Sequence, residues 1–186
     1  MDDIKIAQEI ASGNQRVFED FFNLHKLKVM NLCYGMVHNK DIAEDLVQDI
    51  FLEIYSSAKN FKGKSKLSTW LYRIAINKTI NHLRKEKIKK FFVNVDDVQH
   101  ILETDDRADL SIEEKEKINN LHKVIDILPS KQKEAIILFI YNELPQKEIA
   151  EIMNSSLASV EVLIHRAKKT IKSKTDNIYG NVIKEG

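Results

Sequence analysis

The sequence predicts an all-α protein, and three observations lead there. Apolar residues recur at three- and four-residue spacing rather than in alternation, which is the period of a helix and not of a strand. Pro129 and Pro145 are the only prolines in 186 residues, so nothing of that kind interrupts residues 1 to 128. Glycine is also sparse, at five, and 43% hydrophobic residues supply enough apolar surface for a core.

Taken in order, residues 4 to 34 carry Ile6, Ile10, Val17, Phe21, Leu24, Val29 and Leu32 at helical spacing, with "ASGN" at 11 to 14 as a break. Asp41 is expected to cap the next helix, at about 42 to 59, which buries Leu46, Ile54 and either Ile50 or Phe51. "FKGKSKLST" at 61 to 69 reads as a basic, glycine-containing loop leading into the helix "TWLYRIAINKTINHLRK" at 69 to 85. Residues 4 to 90 therefore make one helical unit. From 91 to 111 the chain is acidic and lacks a sustained period, as suits a tether that cannot bury enough apolar surface to order by itself.

Helical pattern resumes near Ser111 and runs through Leu121, Val124, Ile125 and Leu128 to Pro129. A helix continues from there towards Pro145, which opens "PQKEIAEIMNSSLASVEVLIHRAKKTIKSK": a short helix, a tight turn and a longer helix ending in lysines. This is a helix-turn-helix pattern. Ile149 and Ala150 let the two helices approach, Asn154 tolerates the left-handed turn position, and Val160 locks the second helix on the first. On that second helix Val160, Leu163, Ile164, Ala167 and Ile171 share one arc, and the opposite arc displays Glu161, Val162, His165, Arg166, Lys168, Lys169 and Lys172. Such a face suits a helix lying in a major groove with cations near phosphates.

The net charge of +1 conceals a sharp partition. Residues 1 to 60 hold six basic and ten acidic residues, whereas 61 to 90 hold ten basic residues and Glu86 alone. Residues 91 to 114 reverse the sign, with Arg107 against eight acidic residues, and 159 to 186 return to six basic against three acidic. Two basic islands separated by an acidic bridge imply two contacts with a polyanion, joined by a segment that the polyanion repels.

Within the first island, residues about 100° apart around a helix axis bring Trp70, Arg73, Asn77, Asn81 and Arg84 into one stripe. Leu71, Ile74 and Ala75 flank it on one side, and Tyr72, Ile76, Ile80 and Leu83 on the other. The stripe offers donors, acceptors and one large ring, the groups that grip bases and phosphates.

Other classes fit less well. Six dispersed histidines and the absence of a nucleophile-base-orienter cluster or a phosphate-binding glycine loop argue against an enzyme. Cys33 is the lone cysteine, so no thiolate cluster for a metal exists, and no cofactor is implied. The longest apolar run, "AIILFIY" at 135 to 141, is too short to cross a bilayer, and the N-terminus lacks the apolar core of a signal peptide. The expectation is a soluble, cytoplasmic protein with no direct membrane insertion. A duplex-binding helix-turn-helix regulator accounts for residues 145 to 174 but leaves the Trp-containing basic helix idle.

"DIAEDLVQDIFLEIY", "FKGKSKLSTWLYRIAINKTINHLRK" and "LPSKQKEAIILFIYNELPQKEIAEIMNSSLASVEVLIHRAKK", in that order around an acidic spacer, resemble the extracytoplasmic-function sigma factors of bacteria. The resemblance spans nearly the whole chain. It implies a sigma-2 domain at 1–90, an acidic linker at 91–111 and a sigma-4 domain at 112–178, with bacterial core RNA polymerase and promoter DNA as partners and an anti-sigma factor as antagonist. It places Asp45, Gln48 and Asp49 on the polymerase, Asp49 standing where glutamate is more usual. It implies that this loop and helix capture the single-stranded minus-10 element, with Asn77 at the position that contacts a flipped base, and stacking and edge hydrogen bonds to that base are roles available to Trp70, Asn77 and Asn81. Arg73, Arg84 and Lys85 hold the backbone there, and Lys62, Lys64 and Lys66 add attraction from the loop. Glu161, Val162, His165 and Arg166 correspond to residues that read the minus-35 duplex, with Lys169 beside them. The chain departs from the family pattern at Glu161, Val162 and Leu163, so it implies a different minus-35 preference. The acidic linker, with Asp96, Asp97, Glu103, Asp105, Asp106 and Asp109, implies passage through a basic polymerase channel.

Overall fold

The computed structural model describes residues 2–92 and 111–179, and among these it contains eight α-helices, one 3-10 turn and no strand. The chain divides into two compact units between Asp105 and Asp106. The predicted linker lies almost entirely outside the described residues. No helix among the described residues is long and apolar enough to cross a membrane.

In the N-terminal unit, Asp2 caps α1 (Asp3–Ala11) by accepting from the Lys5 amide at 2.8 Å. The predicted break at 11 to 14 is real: Gly13 takes a φ of +86°, and Asn14 caps α2 (Gln15–Val37) through the Val17 amide. Helix α2 ends at His38 in the left-handed conformation, and Asn39 at once caps α3 (Lys40–Ser57). The cap expected at Asp41 is therefore two residues early, at Asn39, whose Oδ1 accepts from the Ile42 amide at 2.9 Å. Asp41 sits in the first turn, where a carboxylate still favours the positive end of the helix dipole.

Both Ile50 and Phe51 are buried on α3, together with Ala43, Leu46, Val47 and Ile54. Edge-on aromatic pairs tie α3 to α2, with ring centroids 4.7 Å apart for Phe22–Phe51 and 5.2 Å for Phe18–Tyr55. Leu24, one of the apolar positions of the α2 pattern, is 72% exposed. Helical spacing permits either the third or the fourth residue after buried Phe21 to face the core, and the fourth, His25, occupies that place with its ring 4.6 Å from Phe21. A 3-10 turn (Ala58–Asn60) follows α3, and then the loop into α4 (Leu67–Phe92).

In the C-terminal unit, Ser111 and Glu114 form a reciprocal capping box at the start of α5 (Ile112–Asp126). Helix α6 (Ser130–Ile140) is buried along Ala135–Leu138 and packs on α7 (Gln146–Ile152) and α8 (Leu157–Tyr179). It stops five residues before Pro145, because Glu143 turns to a φ of +52° and the Leu144 amide reaches back to the Leu138 carbonyl. Lys133 and Glu134 are buried but paired: Lys133 Nζ lies 2.6 Å from Asp126, and Glu134 accepts from Lys131 at 2.7 Å and Ser130 at 3.1 Å.

Burial on Phe21, with Lys28 nearby, holds the His25 pKa below its ordinary 6.5, while Asp3 pulls it the other way. The unfolded chain thus binds a proton that the folded unit resists, so this contribution is fully present above 6.5 and is lost as pH falls through the lower folded value. Acidification through and below 6.5 should lower the thermal unfolding temperature, and His25→Phe should make that fall shallower when the two proteins are melted side by side.

Candidate nucleic-acid interface

Helix α4 is anchored by one broad buried face. Leu67, Leu71, Tyr72, Ala75, Ile76 and Thr79 are all buried, and α2 and α3 both pack there. The two apolar flanks read from the sequence are thus continuous around the back of the helix, joined through Ala75 and Thr79, neither of which has any exposed surface. Thr79 donates to the Ala75 carbonyl at 2.8 Å, which spends its hydroxyl hydrogen, so the Cys33 thiol donates to Thr79 Oγ1 across 3.6 Å. Burial pushes the Cys33 thiol up to about 11, leaving it an inert core group.

The opposite side of α4 carries the predicted stripe. Asn77, Asn81 and Arg84 stand exposed, and Trp70 and Arg73 are half-buried at its N-terminal end. Phe61, which the sequence reading left unassigned, backs the indole of Trp70 at 5.5 Å between ring centroids. The ring is therefore held with one part covered and one part open, as a stacking platform must be. Lys62, Lys64 and Lys66 project from the loop immediately before the helix and are exposed. Gly63 bends that loop with a φ of +66°, and a Cβ there would meet the Ile4 side chain at 2.7 Å.

On α3, Asp45, Gln48 and Asp49 are exposed opposite the core, and Leu52, at 65% exposure, extends the same face by one turn. Asp49 is not isolated. Lys78 of α4 lies 3.8 Å from it and 3.2 Å from Glu53, tying the acidic helix to the one that bears the stripe. A pair this exposed contributes no more than about 1 kcal/mol, so its effect is on orientation.

In the C-terminal unit the helix-turn-helix closes as the residues require. Asn154 has a φ of +49°, the Ser155 amide returns to the Ala150 carbonyl at 2.9 Å, and Ile149 and Val160 are fully buried. Ser156 Oγ accepts from the Ser159 amide and caps α8. Val160, Ile164 and Ala167 face the core, while Glu161, Val162, His165, Arg166 and Lys169 are all exposed together. Ala158, absent from the predicted set, shares that face one turn before Val162; the four-residue spacing was its signal. Lys168 bends back over the Phe139 ring of α6 at 4.4 Å and so braces α8 from the side.

Two family models match this chain: Sigma-70 region 2 over residues 21–88, and Sigma-70, region 4 over residues 118–171. The ECF RNA polymerase sigma factor SigW of Bacillus subtilis is 30% identical over 178 residues, covering 91% of this chain and 95% of that protein. The ECF RNA polymerase sigma-E factor of Haemophilus influenzae is 30% identical over 181 residues, covering 92% and 94%. Among solved structures, CnrH in complex with the cytosolic domain of CnrY matches with a TM-score of 0.71 at 21% identity, over 94% of this chain and 97% of that one. The sigma factor RpoE of Bartonella quintana, in complex with the anti-sigma factor NepR, matches with a TM-score of 0.62 at 22% identity, over 85% and 98%. These last two likenesses concern the fold. Two regional models in their order and relatives matched along nearly their full length agree with the helices described above: the chain belongs to the extracytoplasmic-function RNA polymerase sigma factors of the sigma-70 family, and it acts in promoter-specific initiation of transcription.

Proposed function

We infer that the two units divide promoter recognition between them, a sigma-2 domain at residues 1–90 taking the unpaired minus-10 strand and a sigma-4 domain at 112–178 taking the minus-35 duplex. One observation carries this reading: the half-covered Trp70 ring and the exposed amides Asn77 and Asn81 share one stripe of α4, and the lysines of the loop immediately before that helix are exposed as well. Extracting a base from a duplex costs a few kcal/mol, and a ring to stack on with amides for the base edge can return it. Arg73, Arg84 and Lys85 then face the sugar-phosphate chain. The exposed face of α8 presents Glu161 and Val162, suited to cytosine N4 and the thymine methyl, beside His165, Arg166 and Lys169.

Core polymerase docks, on this reading, against Asp45, Gln48 and Asp49, with Leu52 adding apolar area. The strongly acidic stretch at 91–111 suits a basic channel. The protein works in the cytoplasm without chemistry of its own, and an anti-sigma factor is its antagonist, a reading that the solved complex of RpoE with the anti-sigma factor NepR supports.

The direct test is transcription from a promoter library by purified bacterial core polymerase with this protein added; transcripts sharing two upstream elements are the expected result, and none from any promoter refutes the reading. Asp45→Arg should weaken binding to core polymerase while leaving the helical circular dichroism unchanged. Replacing Lys62, Lys64 and Lys66 together by alanine should flatten the plot of log affinity against log salt by about 2, given roughly 0.7 per phosphate contact on a single strand. Arg166→Ala should cost about 1–3 kcal/mol at one base position of the minus-35 element, with other positions read as before in a binding titration.

A further inference from the structure

Helix α1 lies outside the matched sigma-70 region, which begins at residue 21, yet it touches the minus-10 loop at both ends. At one end the Ile4 side chain fills the space where Gly63 has no Cβ. At the other, Asp3 Oδ2 accepts from the Leu67 amide at 2.6 Å, a bond between residues 64 positions apart.

That amide is one that α4 cannot satisfy by local means. The Trp70 amide bonds to the Lys66 carbonyl at 3.1 Å, which makes Lys66 the N-cap and Leu67 the first helical residue. A lysine side chain has donors and no acceptor, so it cannot cap, and its charge lies at the positive end of the helix dipole. Lys62 and Lys64 add two more cations within four residues. The groups that attract a phosphate chain thus oppose the start of the helix that carries the base pocket, and a carboxylate brought from α1 offsets both defects at once.

Resting on the reading above, we propose that α1 is a positioning element for promoter opening: Asp3 supplies the N-cap that Lys66 cannot, and Ile4 seats Gly63, so that the loop and Trp70 stand ready before DNA arrives. A loop fixed beforehand loses less freedom on binding, and the difference appears in strand capture. Duplex reading by α8 and docking through α3 do not depend on it.

The test uses the full chain with core polymerase and one promoter that wild-type protein opens, following strand opening by permanganate reactivity. Asp3→Ala should reduce the opened fraction at limiting protein by about fivefold, the factor that one N-cap of ordinary strength represents. Asp3→Asn keeps an acceptor and should recover most of that loss, which general damage to the fold would not allow. Affinity for core polymerase and helical circular dichroism should stay at wild-type values in both. Ile4→Ala, at a side chain 46% exposed and so harmless to the core, should lower opening about twofold and decides the matter should Asp3→Ala fail to fold. Opening at the wild-type level in Asp3→Ala, or in Ile4→Ala where Asp3→Ala does not fold, overturns the proposal, and so does an Asp3→Asn protein as impaired as Asp3→Ala. Wild-type protein that opens no promoter removes the underlying reading instead.

Discussion

The buried stripe of α4 against α2 and α3 sets the limits within which the N-terminal unit can work. Leu71, Tyr72, Ala75, Ile76 and Thr79 face inward at helical spacing, and full burial of each large apolar side chain is worth about 1.5–3 kcal/mol. With that side committed, the helix cannot rotate without exposing apolar surface, so Asn77, Asn81 and Arg84 are obliged to face water. Thr79 shows how tight the packing is: a hydroxyl is accommodated at full burial because its hydrogen goes to the Ala75 carbonyl and its oxygen takes the Cys33 thiol. The site is the reverse side of a core.

The C-terminal unit meets the same requirement through α6. Its apolar residues Ala135–Leu138 are buried, and α8 packs against it with Val160, Ile164 and Ala167 buried. The contact of Lys168 with Phe139 adds a lateral brace. The exposed Glu161, Val162, His165, Arg166 and Lys169 stand on a helix oriented by the buried Val160, Ile164 and Ala167. Both units thus present polar groups on helices whose orientation apolar contacts fix, which is how a fold holds a recognition surface without spending recognition residues on stability.

Charge segregation carries a cost that the fold answers locally. Three lysines in five residues leading into a helix N-terminus repel one another and the helix dipole. Asp3 stands at that point, and Lys78 is drawn to Glu53 and Asp49 on the neighbouring helix. The acidic surplus of residues 1 to 60 therefore includes groups that steady the basic island as well as an outward acidic face on α3.

Much of this architecture is legible in the residues alone. Periodicity marks the helices, Pro145 and Asn154 mark the helix-turn-helix, helical pattern resumes near Ser111, and the 100° rule isolates the stripe from Trp70 to Arg84. Each of those signals acts within a few residues, between a side chain and the backbone it belongs to. Where two local solutions competed, packing chose: Asn39 caps α3 rather than Asp41, because the left-handed His38 places it first, and His25 faces the core in place of Leu24. Phe61 behind Trp70, Lys78 on Asp49 and Asp3 on the Leu67 amide leave no trace in a local pattern, since in each pair the partners lie on different elements and nothing in the period of one helix records which neighbour lies against it. Sequence determined the helices and the chemistry on their faces; tertiary structure alone decided which groups support those faces, because hydrogen bonds and apolar contacts are satisfied by proximity in space.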